Sequence, residues 1–134
     1  MNPLCHYCVA IVRIKFEINH HSSPALNGMS GNRIQIEKWD AAKDGDMNEE
    51  NMKRKLKSQG YNYIVYEFSP GTDFPDHTHP MSKKDSIISG EFEFSMYGET
   101  VILTPGDMVE VPSNTVHNAR VVGSKSVKFF DATK

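Results

Sequence analysis

Cysteine is scarce in this chain, and long hydrophobic runs and an excess of either charge are absent. The two cysteines, Cys5 and Cys8, lie within the first eight of 134 residues, which excludes a disulfide framework for the rest of the chain. Their spacing is that of half a zinc site, and without the other half we expect them to be incidental. No apolar run approaches the roughly 18 residues that a membrane-spanning helix needs. The net charge is −2, and no basic block predicts binding to nucleic acid. We therefore expect a soluble, cytoplasmic protein with neither nucleic acid nor membrane as a partner.

Residues 1–28 differ in composition from the rest of the chain. A β-prone run at residues 8–18 precedes a polar stretch that contains two adjacent histidines. We predict a loosely attached extension over residues 1–28 and a single compact domain over residues 29–134. Arg13 and Lys15 leave mitochondrial targeting open, whereas the lack of a basic residue before the apolar run argues against a secretory signal.

The compact domain consists mostly of short β-prone runs separated by turns. The exception is a predicted helix, which Asn48 caps and Gly60 ends, with acidic residues in its first turn and basic residues later. Met52 and Leu56 form its only apolar seam. Strands are predicted at residues 33–39, 61–68, 86–88, 91–96, 100–103, 108–111, 116–122 and 126–130. The sequence thus predicts an all-β fold with one short N-terminal helix and a closed or sandwiched antiparallel sheet.

Three of the six histidines lie in this strand-rich part of the chain. His77 and His79 are two residues apart, so in an extended segment their imidazoles point to the same face. His117 begins a predicted strand after a turn that contains proline. Three neutral imidazoles on one concave face can hold a divalent transition metal such as iron, manganese, zinc or nickel and leave coordination positions open. A histidine pair alone is a weak signal, because surface histidines in turns are common.

Two spaced motifs surround these histidines. In the first, five residues separate Gly71 from His77-X-His79, three more precede Lys83, and six more precede Gly90. Glycine at a strand reversal relieves the steric cost of a positive φ angle.

The second motif delivers the third histidine. Five residues separate Gly106 from Pro112-X-Asn114, and two more precede His117. Asn114 tolerates a positive φ angle, which keeps the turn. In this order, and fifteen residues apart, the motifs resemble those of small single-domain cupins of the bacterial type. The resemblance implies a jelly-roll β-barrel whose mouth contains the histidines, a small-molecule ligand, and a homodimer, for which residues 33–39 are the candidate contact.

Lys83 is the main departure from the cupin pattern, because it stands where the family has a glutamate ligand. An inward ammonium group would repel a divalent ion. Three arrangements remain open. Lys83 points outward and leaves a three-histidine site, or Asp85 supplies the fourth ligand from a strand shifted by a bulge. Alternatively, Lys83 and the histidines bind an anionic organic ligand without a metal.

Two functions follow from these alternatives. The first is a metal-dependent dioxygenase or isomerase in which His77, His79 and His117 hold the ion. The second is a non-catalytic module that binds a small anionic molecule. The orientation of Lys83 discriminates between them, since an inward Lys83 favours the second. The resemblance identifies no catalytic residue beyond these ligands, because one barrel serves many chemistries.

Overall fold

The computed structural model describes residues 32–134. The predicted extension over residues 1–28, the two cysteines and the predicted domain start at residue 29 lie outside this range. Within it, none of the helices has the length and apolar character needed to cross a membrane.

Residues 32–134 contain two short helices and nine strands. In chain order they are β1 (Ile36–Glu37), α1 (Ala41–Asp44), α2 (Glu49–Ser58), β2 (Asn62–Phe68), β3 (Asp73–His77), β4 (Lys83–Ser89), β5 (Glu91–Met96), β6 (Glu99–Leu103), β7 (Met108–Val111), β8 (His117–Val122) and β9 (Val127–Thr133). The predicted all-β class is confirmed, and both helices precede the run of strands β2–β9.

The largest differences from the sequence prediction lie before β2. The strand predicted at residues 33–39 is reduced to the two residues of β1, and the prediction of one helix is incomplete because α1 precedes α2. Asp40 caps α1 by accepting a hydrogen bond from the N–H of Ala42. A single helical turn has no apolar periodicity that could reveal it. Strand β3 was also not predicted, since Pro75 lies inside it and proline argues against a strand.

Helix α2 forms as its sequence predicts. Asn48 caps its N-terminus, and Gly60, with φ of 86°, follows its last turn in the left-handed conformation. Met52 and Leu56 are fully buried and pack in one cluster with Phe130. The helix therefore covers the outer face of a sheet through the predicted apolar seam.

The strands form two antiparallel sheets that pack face to face. One has the strand order β1-β7-β4-β9-β2 and the other β3-β8-β5-β6. Phe92 and Phe94 of β5 pack between the sheets with Ile87 of β4 and Phe129 of β9, and the rings of Phe92 and Phe129 stack 5.2 Å apart. This arrangement is consistent with the expected jelly-roll barrel, and it places one face of each strand in the barrel interior.

A partly buried ion network on the outer face of the five-stranded sheet sets the orientation of β4. The ammonium of Lys84 lies 2.8 Å from Glu37 of β1, and Lys55 of α2 lies 3.2 Å from the same carboxylate. Because Lys84 points outward into this network, the alternation of the strand turns Lys83 and Asp85 toward the interior.

Gly90 is a motif residue whose substitution is expected to be costly. It has φ of 86°, and a Cβ there would lie 2.3 Å from the carbonyl oxygen of Ser126. We expect Gly90→Ala to lower the free energy of unfolding by about 2–4 kcal/mol, from the φ strain and the overpacking together. Gly71 has nearly the same φ, 87°, but no atom within 4 Å of the added Cβ. Gly71→Ala should therefore lose only about 1–2 kcal/mol. Equal losses in urea denaturation would contradict this explanation.

Candidate metal centre

Strands β3 and β8 bring the three histidines together. His77 ends β3 and pairs in register with His117, the first residue of β8, while His79 follows two residues after β3. The ring centroids of His77 and His117 are 4.2 Å apart, and His79 lies 5.0 Å and 4.9 Å from them. All three side chains are buried, and one nitrogen of each lies within 4.8 Å of the others. The cluster can therefore hold one metal ion.

Backbone carbonyls fix the tautomer of two of the rings. His77 Nδ1 lies 2.7 Å from the carbonyl oxygen of Pro75, and His117 Nδ1 lies 2.9 Å from that of Thr115. A carbonyl oxygen only accepts, so in both rings Nδ1 carries the proton and Nε2 is the nitrogen with a lone pair. Such N–H contacts from ring to backbone are the usual support of metal-bound histidines.

Burial also keeps His117 in the form that a metal ion requires. Burial is the largest influence and, with the charges of His77 and Lys83, lowers the pKa of His117 to about 3, although the hydrogen bond to Thr115 opposes this shift. The imidazole is therefore neutral at physiological pH, as a metal ligand must be.

The turn before β8 is tied directly to the histidine pair. Asn114 has φ of 55°, which confirms that asparagine takes the left-handed conformation here. Its N–H donates to the carbonyl oxygen of His79 over 2.6 Å. The second motif thus positions His79 as well as His117.

An ion pair forms the opposite wall of the barrel mouth. Lys83 points inward, which excludes the outward arrangement, and its ammonium lies 2.9 Å from Asp131 Oδ2 on β9. The side chains are 13% and 5% exposed. Asp131 was not among the residues singled out from the sequence, although its alternation with the core residue Phe129 places it on the interior face.

Asp85 lies beside this pair and extends toward the histidines. It is opposite Asp131 in the β4–β9 register, and it lines a small cavity together with His77 and His117. The cavity leaves about 10 Å³ for the centre of a water molecule, which is room for roughly one water. Asp85 is not a member of the three-histidine cluster, and no bulge interrupts the register around it.

The environment of Asp85 disfavours its charged form. Burial and the charge of Asp131 raise its pKa well above the usual value, and Lys83 opposes the shift. Its Oδ1 is buried and has no hydrogen-bond partner among residues 32–134. Tyr66 packs against the interior cluster, and burial together with the same two carboxyl groups raises its pKa.

We expect Asp85→Asn to stabilise the metal-free protein at neutral pH. A carboxyl with a raised pKa in the folded state favours folding below its unfolded pKa, and that stability is lost as the pH rises through the folded pKa. Asparagine does not ionise. The free energy of unfolding of the variant, relative to wild type, should therefore increase as the pH rises from the unfolded to the folded pKa of Asp85, and then level off. Urea denaturation between pH 4 and pH 8 with a chelator present measures the difference. A stability difference independent of pH would show that Asp85 ionises normally.

Comparisons with known proteins give one family match and several structurally similar proteins. The sequence matches the Cupin domain family over residues 64–133. A DUF861 family protein from Thermotoga maritima is similar in structure, with a TM-score of 0.53 and 16% identity over 76% of this chain and 100% of that one. A cupin-like protein from the same organism has a TM-score of 0.50 and 20% identity over 75% and 68%.

The remaining comparisons show weaker similarity or none. A conserved protein from Streptococcus pyogenes has a TM-score of 0.47 and 19% identity over 55% of this chain and 65% of that one. The matched region thus spans slightly less than two thirds of that relative. Among curated proteins, none matches the sequence significantly. The two Thermotoga structures therefore support the fold alone.

Proposed function

Since this chain belongs to the Cupin domain family, we propose that its three histidines hold one divalent transition metal ion beside a small organic ligand in the barrel mouth. The observation that carries the proposal is the cluster of His77, His79 and His117, whose nitrogens lie within 4.8 Å of one another. Two of the rings are held by backbone carbonyls with Nε2 as the acceptor nitrogen, which suits them to ligation.

The donor set fits a catalytic ion. Three neutral imidazoles match iron, manganese, zinc or nickel, and they leave coordination positions for the ligand. Bound there, the ion would supply Lewis acidity or redox chemistry. Aromatic side chains, among them Phe92, Phe94 and Phe129, line the small cavity beside His77 and His117 and make the surroundings of the site largely apolar. These features support a metal-dependent enzyme of the dioxygenase or isomerase kind.

A second function is favoured by one specific observation, the inward orientation of Lys83. A buried ammonium near three histidines suits an anionic organic ligand such as a carboxylate or phosphate, and it opposes a divalent ion. In this alternative the protein binds the anion without a metal and without turnover.

Metal analysis of the purified full chain separates the two functions. The protein is stripped with a chelator, incubated separately with Fe²⁺, Mn²⁺, Zn²⁺ and Ni²⁺, and examined by elemental analysis and native mass spectrometry. We expect about one equivalent of one of these metals per chain. Less than about a tenth of an equivalent would contradict the metal site, and a retained anion without metal would support the second function.

The same mass spectra test the oligomeric state. We propose a homodimer, on the family resemblance alone. In the described residues β1 pairs with β7 of the same chain, so a contact through residues 33–39 would have to use the outer edge of β1.

A further inference from the structure

The charges around the histidines define what the ligand must supply. The three imidazoles carry no charge at neutral pH when they bind a metal ion. The ammonium of Lys83 is balanced by Asp131, 2.9 Å away. A bound divalent ion would therefore keep its two positive charges uncompensated in a buried site, which is unfavourable unless a ligand provides negative charge.

Asp85, the other acidic side chain near the site, does not provide this compensation. It is not part of the histidine cluster. No described protein carboxylate thus stands among the candidate metal ligands, and the anionic oxygen has to come from the ligand.

Lys83 is arranged to contact such an anion. An ammonium group has three N–H donors, and only the one to Asp131 is satisfied among the hydrogen bonds of residues 32–134. The side chain is 13% exposed, so the ammonium group is largely buried but not sealed from solvent. Asp131 positions it there, because the two residues face the interior from the paired strands β4 and β9.

We infer that the ligand is a small chelating carboxylate, whose oxygens contact both the metal ion and the ammonium of Lys83. The inference rests on the proposed metal site. Lys83 is then the residue that selects a negatively charged ligand over a neutral one. A neutral molecule of the same shape loses both the charge balance at the ion and the charge-assisted hydrogen bond to Lys83.

The test compares pyruvate, a chelating carboxylate, with its neutral methyl ester. Full-length protein is first titrated with Co²⁺, whose visible absorption reports both metal binding and later changes in the ligands. Each probe is then added, and its affinity is measured from the absorption and by calorimetry. We expect the Co²⁺-loaded protein to bind pyruvate more tightly than the ester by a factor of about ten or more. Metal-free protein should bind pyruvate far more weakly than the Co²⁺-loaded protein does.

A variant tests the role of Lys83 directly. Lys83→Met combined with Asp131→Leu removes the ion pair and keeps the site apolar. This variant should bind pyruvate about tenfold more weakly than wild type and the ester equally well. Lys125→Met, at an exposed lysine in the turn at the other end of β8 and β9, should bind both probes as wild type does.

The possible failures are distinguishable. Absence of Co²⁺ binding, seen before any probe is added, would overturn the metal site and with it this inference. Bound Co²⁺ with equal affinities for pyruvate and the ester would overturn the inference alone, as would unchanged pyruvate affinity in the double variant. Equal binding of pyruvate to metal-free protein would exclude chelation and support the metal-free function.

Discussion

Replacing His77 or His117 by alanine is expected to remove the metal ion from the protein. Each substitution deletes one of only three nitrogen donors, and in the described residues no carboxylate joins the cluster to compensate. The metal content after reconstitution should fall from about one equivalent per chain to below about a tenth. Elemental analysis after desalting measures this loss.

Phe94→Leu provides a matched control for packing. The ring of Phe94 lies 5.7 Å from that of His117, so this variant disturbs the same region but keeps every nitrogen donor. It should retain the metal, although the smaller side chain costs some stability. Thermal unfolding of all three variants shows whether they are folded when their metal content is measured. Folded histidine variants that keep a full equivalent would overturn the three-histidine site.

The site could be predicted from the sequence only as far as local spacing determines it. His77 and His79 share a face because strand alternation has a period of two. The approach of His117 followed from the resemblance of the second motif, and Asn114 adopts the backbone conformation expected of it. These features depend on short segments whose conformations their own residues determine.

Features that depend on distant pairing were not predictable in the same way. The contact of Lys83 with Asp131 joins positions 48 residues apart, and it requires the order of β4 and β9 in the sheet. The orientation of Lys83 also follows from Lys84, which the outer network with Glu37 turns outward. An alternating pattern defines two faces of a strand, but the partners of the strand decide which face is inside.

Removing only one partner of the ion pair opposite the histidines should strongly destabilise the protein. Lys83→Met leaves the carboxylate of Asp131, which is 5% exposed, without the ammonium that compensates it. Removal of one partner of a buried pair typically costs about 3–5 kcal/mol. Urea denaturation of the metal-free protein at pH 7 measures the loss as a lower midpoint with an unchanged slope.

Two controls separate the buried charge from the loss of lysine as such. Lys38→Met breaks a pair with Asp107 in which the lysine is 72% exposed, and Asp107 keeps its hydrogen bonds from Thr104. This variant should lose less than about 1 kcal/mol. The double change Lys83→Met and Asp131→Leu should lie within about 1 kcal/mol of wild type or exceed it, because apolar replacements of a buried pair are often neutral or stabilising. If the double variant were as unstable as Lys83→Met, the loss would come from packing. A stable double variant would instead show that Lys83 and Asp131 are dispensable for folding, which favours a role for the pair in binding.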